Sequence, residues 1–251
     1  MMSKTNLNVP SLALQALAVV LLAAPVAGVA ATYQPDVAAY TIGEIQTTLK
    51  EVRVLKTAEE MPAGLRAMLK EAREKQAAAN LNPSLSPMDL DLTSIINLGK
   101  QIWQIVQAGR PVVNIKTDSA SALPLGTKQW TELENWSDPV SHTYTVAIKN
   151  LYGYETVSFD YRVLSITGGS SKGVGHYIAY ATIEPSNINV SWGFSLAATT
   201  KIPMVYNHGT HRDPVGAMQM DMNYVVTSVL SHIESTDSFS LKGTGQLTQL
   251  Q

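Results

Sequence analysis

The spacing of apolar residues along the chain changes near residue 111. Between about residues 41 and 109 they recur every three or four positions, which is typical of amphipathic helices. Beyond Pro111 they alternate with polar residues, which is typical of strands. We therefore predict an α+β fold, with a helical N-terminal region over residues 31–110 and an antiparallel β domain over residues 111–251.

Three amphipathic helices are predicted in the N-terminal region. The first begins at a capping box formed by Thr41 and Glu44, although residues 52–54 would also suit a strand. The second begins at a similar capping signature, Thr57 and Glu60, with Pro62 tolerated in its first turn. Its inward-facing stripe consists of Leu65, Met68, Leu69, Ala72, Gln76 and Ala79. The third spans residues 95–107, with apolar side chains on one half and mostly amides on the other. Because that polar half carries one lysine, we expect the helix to pack on the sheet rather than lie on a membrane.

The alternating pattern beyond residue 111 defines about six or seven long strands. Their apolar positions are Tyr144, Val146, Ile148; Val157, Phe159, Tyr161, Val163; Tyr177, Ala179, Ala181, Ile183; Val190, Trp192, Phe194, Leu196, Ala198; Met218, Met220, Met222, Tyr224, Val226; Phe239 and Leu241. Residues 112–116 could add an edge strand. Turn signals at residues 152–153, 168–171, 184–187 and 213–214 leave no room for crossover helices, so neighbouring strands should pair antiparallel. Strands of about ten residues favour a twisted sandwich or an open barrel.

The first thirty residues have the features of an export signal. Lys4 is the only charged residue before Asp36, and residues 11–26 form an almost unbroken apolar run. Small residues follow at Gly28 and Ala30, where a signal peptidase would read them. A membrane-spanning anchor is the alternative, but Gln15 and Pro25 interrupt the run. We predict a signal peptide over residues 1–30 and cleavage after residue 30 or 31.

Composition narrows the class of protein further. The 251 residues include no cysteine, which excludes a disulfide scaffold, a cysteine zinc site and thiol catalysis. An exported chain without cysteine favours a bacterial periplasm or exterior over a eukaryotic secretory route. A formal net charge of −2 lacks the basic surface that nucleic-acid binding requires. No motif indicates a cofactor, and none is expected.

The clearest candidate metal ligands are His208, His211 and Asp213. Imidazole and carboxylate groups can share a divalent ion, and a turn can bring residues this close in sequence together. The alternative is an ordinary loop, because Asn, His, Gly, Asp and Pro are common turn residues. Arg212 within the same segment also opposes the binding of a cation.

Other motifs give weaker signals for catalysis. The sequence around Ser171 matches the Gly-x-Ser-x-Gly nucleophile pattern, but a strand follows the serine where that mechanism requires a helix. A glycine-rich hairpin turn is the simpler interpretation. Asp160 and Asp221 occupy polar positions of two predicted strands and could line a ligand-binding groove, although a solvated sheet face carries such residues routinely.

Two tryptophans are candidates for ligand contact. Trp130 and Trp136 lie in a segment without clear strand alternation. Exposed indoles on a β scaffold can stack on sugar rings or contact a protein partner. The alternative is that both side chains plug an open end of the β domain.

Three functions are compatible with this sequence. The favoured hypothesis is an exported, soluble, non-catalytic binding protein for an unknown protein or carbohydrate ligand. A membrane-active protein, either a small outer-membrane barrel, a pore-former or a lipid binder, is the first alternative, because long alternating strands also build such structures. An unrecognised hydrolase built on the histidines or the strand acids is the second.

Overall fold

The structure, a computed structural model of the chain, describes residues 34–81, 90–109 and 112–250. The predicted signal peptide over residues 1–30 lies outside the described residues. Pro35–Gln251 form one compact unit.

Thirteen strands and two helices are defined in the described part of the chain. In chain order they are α1 (Val37–Tyr40), β1 (Ile42–Val54), α2 (Ala63–Leu81), β2 (Asp91–Ile96), β3 (Ile102–Gly109), β4 (Val112–Ile115), β5 (Ala120–Leu125), β6 (Val140–Asn150), β7 (Glu155–Ser171), β8 (Val174–Val190), β9 (Phe194–Lys201), β10 (Val205–Asn207), β11 (Gly216–Ser228), β12 (His232–Lys242) and β13 (Leu247–Gln249). A single 3₁₀ turn, Trp130–Glu132, precedes β6.

The strands form two antiparallel sheets. The first sheet has the order β1-β6-β7-β8-β5-β2, and the second has the order β13-β12-β11-β9-β3-β4, with β10 paired to β11. Antiparallel pairing through short connections is therefore confirmed. The strand count exceeds the prediction because segments expected to be helical or irregular also belong to the sheets.

One apolar core lies between the inner faces of the two sheets. Aromatic rings from opposite sheets meet there, with ring centroids 5.7 Å apart for Phe159 and Tyr224 and 5.0 Å apart for Tyr144 and Phe239. The alternating methionines of β11 are fully buried in the same core. The two-residue period therefore marks the core side of β6, β7, β11 and β12, as the pattern predicts, but not of the whole of β8. The strand predicted over residues 190–198 is wrong, because a turn separates β8 from β9 and leaves Trp192 exposed.

The predicted first helix is wrong, because residues 42–54 form β1. This strand ends the first sheet and has one neighbour, β6. Most of its side chains are exposed, so its apolar residues do not alternate strictly. A register shift between Leu49 and Glu51 breaks the period of two further. An exposed, bulged edge strand therefore resembles a weak amphipathic helix at the level of sequence.

The predicted third helix is also wrong, because residues 95–107 contain the end of β2, a turn and most of β3. The turn depends on Gly99, since a Cβ there would lie 2.0 Å from the carbonyl oxygen of Ser119. A bulge between Gln104 and Val106 then buries Ile105 and Val106 in succession. Ile105 and Val106 follow Ile102 by three and four positions. This spacing is typical of a helix, although all three residues lie in a strand.

The second predicted helix corresponds to α2, which begins at Ala63 rather than at the predicted cap, Thr57. Leu65 is fully buried, and Met68 and Leu69 pack with it against Leu164, Ile166 and Tyr180 on the outer face of the first sheet. Ala72, on the same stripe, is also buried. The charged residues off this stripe form i,i+4 ion pairs, Lys70 with Glu74 and Glu71 with Lys75. No helix among the described residues is both long enough and apolar enough to cross a bilayer.

Two predicted turns within the β7–β8 region had different outcomes. The glycine-rich hairpin around Ser171 is confirmed, since Ser171 pairs with Val174, and Lys172 and Gly173 both have positive φ. Its turn lies later than predicted, because residues 168–171 still belong to β7. The turn predicted over residues 184–187 is wrong, because β8 continues to Val190. Asn187 has a φ of 50° at a register shift, so these turn-forming residues make a bulge inside a continuous strand.

Candidate binding cleft

A cleft of about 200 Å³ lies between α2 and the first sheet. One wall is a single face of the helix, formed by Met68, Glu71, Ala72 and Lys75 at i, i+3, i+4 and i+7. Ala179 of β8 and the side chains of β5 form the floor. The helix stands on this sheet because Leu65 and Leu69 bury their apolar surface against it, so the same packing that stabilises α2 creates the cleft.

The opposite wall and one end of the cleft come from loops. Leu98 and Gly99 of the β2–β3 turn contribute the wall. The segment that leads into the 3₁₀ turn contributes Lys128, Gln129 and Trp130 at the end. The lining therefore combines aliphatic carbon, an indole ring, an amide and charged groups, which is the usual composition of a small-ligand site.

The charged groups of the cleft differ in how they are paired. The Lys75 ammonium lies 2.6 Å from the Glu71 carboxylate across one turn of α2. Lys128 makes no ion pair with any residue in the described ranges, although its backbone N–H donates to the Glu132 carboxylate at 3.1 Å. One ammonium and one ion pair can thus meet hydroxyl or carboxylate groups of a ligand.

Trp130 and Trp136 lie together, but only Trp130 lines the cleft. Both are half-buried, and their rings meet edge to face with centroids 5.9 Å apart. The Trp136 indole N–H donates to the Trp130 carbonyl oxygen at 3.1 Å. The Trp136 ring also covers the backbone of Gly169, where a Cβ would lie 2.2 Å from a ring carbon. Trp136 therefore supports Trp130 from behind.

Asp160 is buried in a closed polar cluster. Its carboxylate accepts hydrogen bonds from Lys50 Nζ at 2.8 Å, Thr145 Oγ1 at 2.6 Å and Asn187 Nδ2 at 2.7 Å. Although burial opposes ionisation, these hydrogen bonds hold the pKa of Asp160 below its usual value. Because its carboxylate is already saturated, Asp160 acts as a cross-strand tie between β1, β6, β7 and β8.

Asp221 lies on the other sheet. Its side chain points away from the core, because its neighbours in β11, Met220 and Met222, are fully buried. Its Oδ1 accepts hydrogen bonds from Gln219 Nε2 and Ser238 Oγ, each at 2.8 Å. Asp160 and Asp221 occupy the outer faces of different sheets, so the fold does not bring these two carboxylates together.

His208, His211 and Asp213 lie in the exposed turn between β10 and β11. Asn207 organises this turn, since its Oδ1 accepts from the backbone N–H groups of Gly209 and Val215. The described part of the chain contains no group of three or more His, Asp or Glu side chains placed to hold a metal ion. The metal site remains a prediction from sequence.

A second, wider depression of about 450 Å³ lies beside β3. Its walls come from residues 100–104 and 116–118, and Lys100 and Asp118 close part of it with an ion pair. None of its lining residues belongs to a helix. It also presents no exposed indole, because Trp103 is buried in the core. Of the two, the cleft under α2 is therefore the one that offers a ligand both a helix face and an indole ring.

Sequence reasoning missed a buried carboxyl group in the core. Asp237 of β12 is buried, and it accepts a hydrogen bond from the Tyr161 hydroxyl at 2.7 Å and weaker ones from Thr47 at 3.3 and 3.4 Å. Burial raises the pKa of Asp237 above its usual value. The sequence did carry a signal for this burial. Asp237 lies two residues before Phe239 and four before Leu241, so the alternation places its side chain on the inner face of β12.

Comparisons of this chain with protein-family models, with curated proteins and with solved structures found no match. The two-sheet antiparallel fold and the cleft under α2 are thus the observations from which function is argued.

Proposed function

We propose that this protein is an exported, non-catalytic binding protein whose two antiparallel sheets form a sandwich that carries a ligand cleft beneath α2. The observation that carries the proposal is the cleft itself, with an indole supported from behind and a lysine without an ion pair among the described residues. Trp130 and Lys128 can both contact a ligand directly, and binding alone accounts for the roles proposed for them.

The size and lining of the cleft favour a small polar ligand with one apolar face. Its volume of about 200 Å³ lies below the roughly 300–1,000 Å³ of sites for drug-sized molecules. A single sugar ring, standing alone or at the end of a longer chain, meets this limit. One face of the ring would contact Trp130, and its hydroxyl groups would reach Lys128, Gln129 and the Glu71–Lys75 pair.

Binding can be tested with a panel of monosaccharides, such as glucose, galactose, mannose and N-acetylglucosamine. Saturation-transfer NMR on the intact chain should detect weak binding of at least one of them. The Trp130→Ala variant should lower the affinity by roughly 5- to 30-fold, since an aromatic contact of this kind is worth about 1–2 kcal/mol.

Trp192→Ala is the matched control, because it removes an exposed indole from the β8–β9 turn and leaves the cleft intact. Equal loss of binding in both variants would show that the sugar does not occupy the cleft. Failure of every sugar in the panel to bind would refute a single-ring ligand.

Export is supported by the apolar run over residues 11–26 and the small residues that follow it. Fractionation of the native host, followed by N-terminal sequencing, should find a chain that begins at residue 31 or 32 outside the cytoplasm. A full-length chain confined to the cytoplasm would contradict export without affecting the test of the cleft.

A further inference from the structure

Six exposed apolar side chains lie in adjacent turns at one end of the two sheets. They belong to the β6–β7, β8–β9 and β11–β12 turns, and we call this set the apolar end: Leu151, Tyr152, Tyr154, Trp192, Val229 and Leu230. Tyr154 and Trp192 are the most exposed, at 72% and 69%. Large apolar groups at adjacent turn tips are uncommon on a surface that faces only water.

Helix α1 joins these turns into one surface. The Leu151 N–H donates to the carbonyl oxygens of Ala38 and Thr41, at 3.2 and 3.0 Å. The Tyr40 ring meets the Trp192 ring with centroids 6.3 Å apart. The β11–β12 turn is held from the other side, because the Ile42 N–H donates to Ser231 Oγ at 3.3 Å.

The backbone of the most apolar turn is already hydrogen-bonded within the protein. The Tyr152 and Tyr154 N–H groups donate to Asn150 Oδ1, and the Gly153 N–H donates to the Asn150 carbonyl oxygen. Together with the Leu151 bonds, this satisfies four consecutive N–H groups. Such a turn can enter an apolar medium without leaving those donors unpaired, and unpaired donors would oppose its entry.

The scarcity of charged residues at the apolar end indicates which kind of surface it can bind. Residues 36–41, 150–155, 191–193 and 228–231 contain two charged residues, Asp36 and Glu155, and no lysine or arginine. Anionic lipid attracts basic segments, so it is not favoured here. Tyrosine and tryptophan beside leucine and valine instead match the interface between lipid headgroups and acyl chains.

We propose that the apolar end docks this protein on an uncharged lipid surface, with Tyr154 and Trp192 at the headgroup level. The apolar run over residues 11–26 supports this choice of partner, because either interpretation of that run, a signal peptide or an anchor, engages a membrane.

Docking can be measured with a single environment-sensitive label, because the chain contains no cysteine. A fluorophore attached to a Tyr154→Cys variant of the intact chain is mixed with phosphatidylcholine vesicles. Its emission should shift to the blue and increase severalfold. The control is the same label on Thr244→Cys, an exposed position in the β12–β13 turn at the opposite end of β12, where emission should not change.

Vesicle flotation of unlabelled variants tests which side chains carry the affinity. Tyr154→Ser and Trp192→Ser should each lower the partition coefficient by about tenfold, since each removes a large apolar group from the interface. Val113→Ser is the matched control, because Val113 is also half-exposed, at 52%, but lies in the edge strand β4. It should leave partitioning unchanged.

Several outcomes would overturn the proposal. These are no change at either label, equal changes at both labels, and binding restricted to anionic vesicles. A change of the Tyr154→Cys label that depends on protein concentration without vesicles would identify a second copy of the chain as the partner. None of these outcomes bears on sugar binding in the cleft, so the two proposals fail separately.

Discussion

Replacing Gly169 with alanine should disturb the indole pair behind the cleft. A Cβ at this position would lie 2.2, 2.4 and 2.4 Å from three carbon atoms of the Trp136 ring. Normal carbon contacts begin at about 3.5 Å, so the ring must move by more than 1 Å or the strand must yield. Because this ring packs edge to face on Trp130, the displacement should reach the lining of the cleft.

The size of the effect follows from the contacts that Trp136 would lose. Its hydrogen bond to the Trp130 carbonyl oxygen contributes about 1 kcal/mol. The aromatic pair contributes about 0.5–1.5 kcal/mol more. We therefore expect Gly169→Ala to lower the free energy of unfolding by about 2 kcal/mol, within the range of overpacked sites, and to lower Tm by roughly 4–8 °C.

Chemical unfolding followed by far-UV circular dichroism measures this loss, and near-UV circular dichroism reports the indole pair. The matched control is Gly109→Ala in β3, where a Cβ would meet its nearest neighbour, Ser195 Cβ, at an ordinary 3.7 Å. That variant should change stability by less than about 0.5 kcal/mol. Equal stability of the two variants, with an unchanged near-UV spectrum for Gly169→Ala, would refute the packing of Trp136 on this strand.

Three further predictions concern the packing of α2 and the two buried carboxyl groups. Leu65→Ala should lower the free energy of unfolding by about 2–5 kcal/mol and weaken sugar binding, because Leu65 anchors α2 on the sheet. In the same urea-unfolding measurement, Leu49→Ala at an exposed position should cost less than about 1 kcal/mol. The pKa of Asp237 is raised in the fold, so the contribution of its protonated form to stability is present at low pH and lost as pH rises. Unfolding measured from pH 4 to 8 should therefore show the wild type losing stability relative to Asp237→Asn. A difference that stays constant with pH would contradict this. The pKa of Asp160 is lowered, so the dependence on pH is the opposite. The wild type should be more stable than Asp160→Asn at pH 7, and this difference in stability should shrink as pH falls below about 4. A difference that persists at pH 2 would be inconsistent with the hydrogen bonds around Asp160.

Local rules identified the elements whose environment is uniform along their length. In β11, Met218, Met220 and Met222 alternate because one side of the strand faces the core throughout. In α2, Leu65 and Met68 recur at helical spacing because one side of the helix rests on a sheet. The hairpin at Lys172 was predictable because its turn requires positive φ at consecutive residues.

Other elements depend on neighbours that are distant in sequence. β1 is a strand because β6 pairs with it, although its own side chains are mostly exposed. The bulge that buries Ile105 and Val106 together exists because β3 must match the register of β9. Gly99 is required by a carbonyl oxygen twenty residues later in the chain. None of these constraints leaves a period in the local sequence.

The candidate site shows the same division. The sequence by itself determined that Trp130 and Trp136 stand in an irregular segment, that α2 has one apolar side, and that the strands beyond residue 111 bury alternate residues. Only the tertiary structure decided that α2 packs on β7 and β8 and leaves, beside β5, a cleft that Trp130 lines. The same holds for the separation of Asp160 from Asp221 on opposite outer faces, and for the meeting of three turns and α1 at one end. The physical reason is that periodicity records whether a residue faces the core, whereas a site depends on which elements the sheets bring together in space.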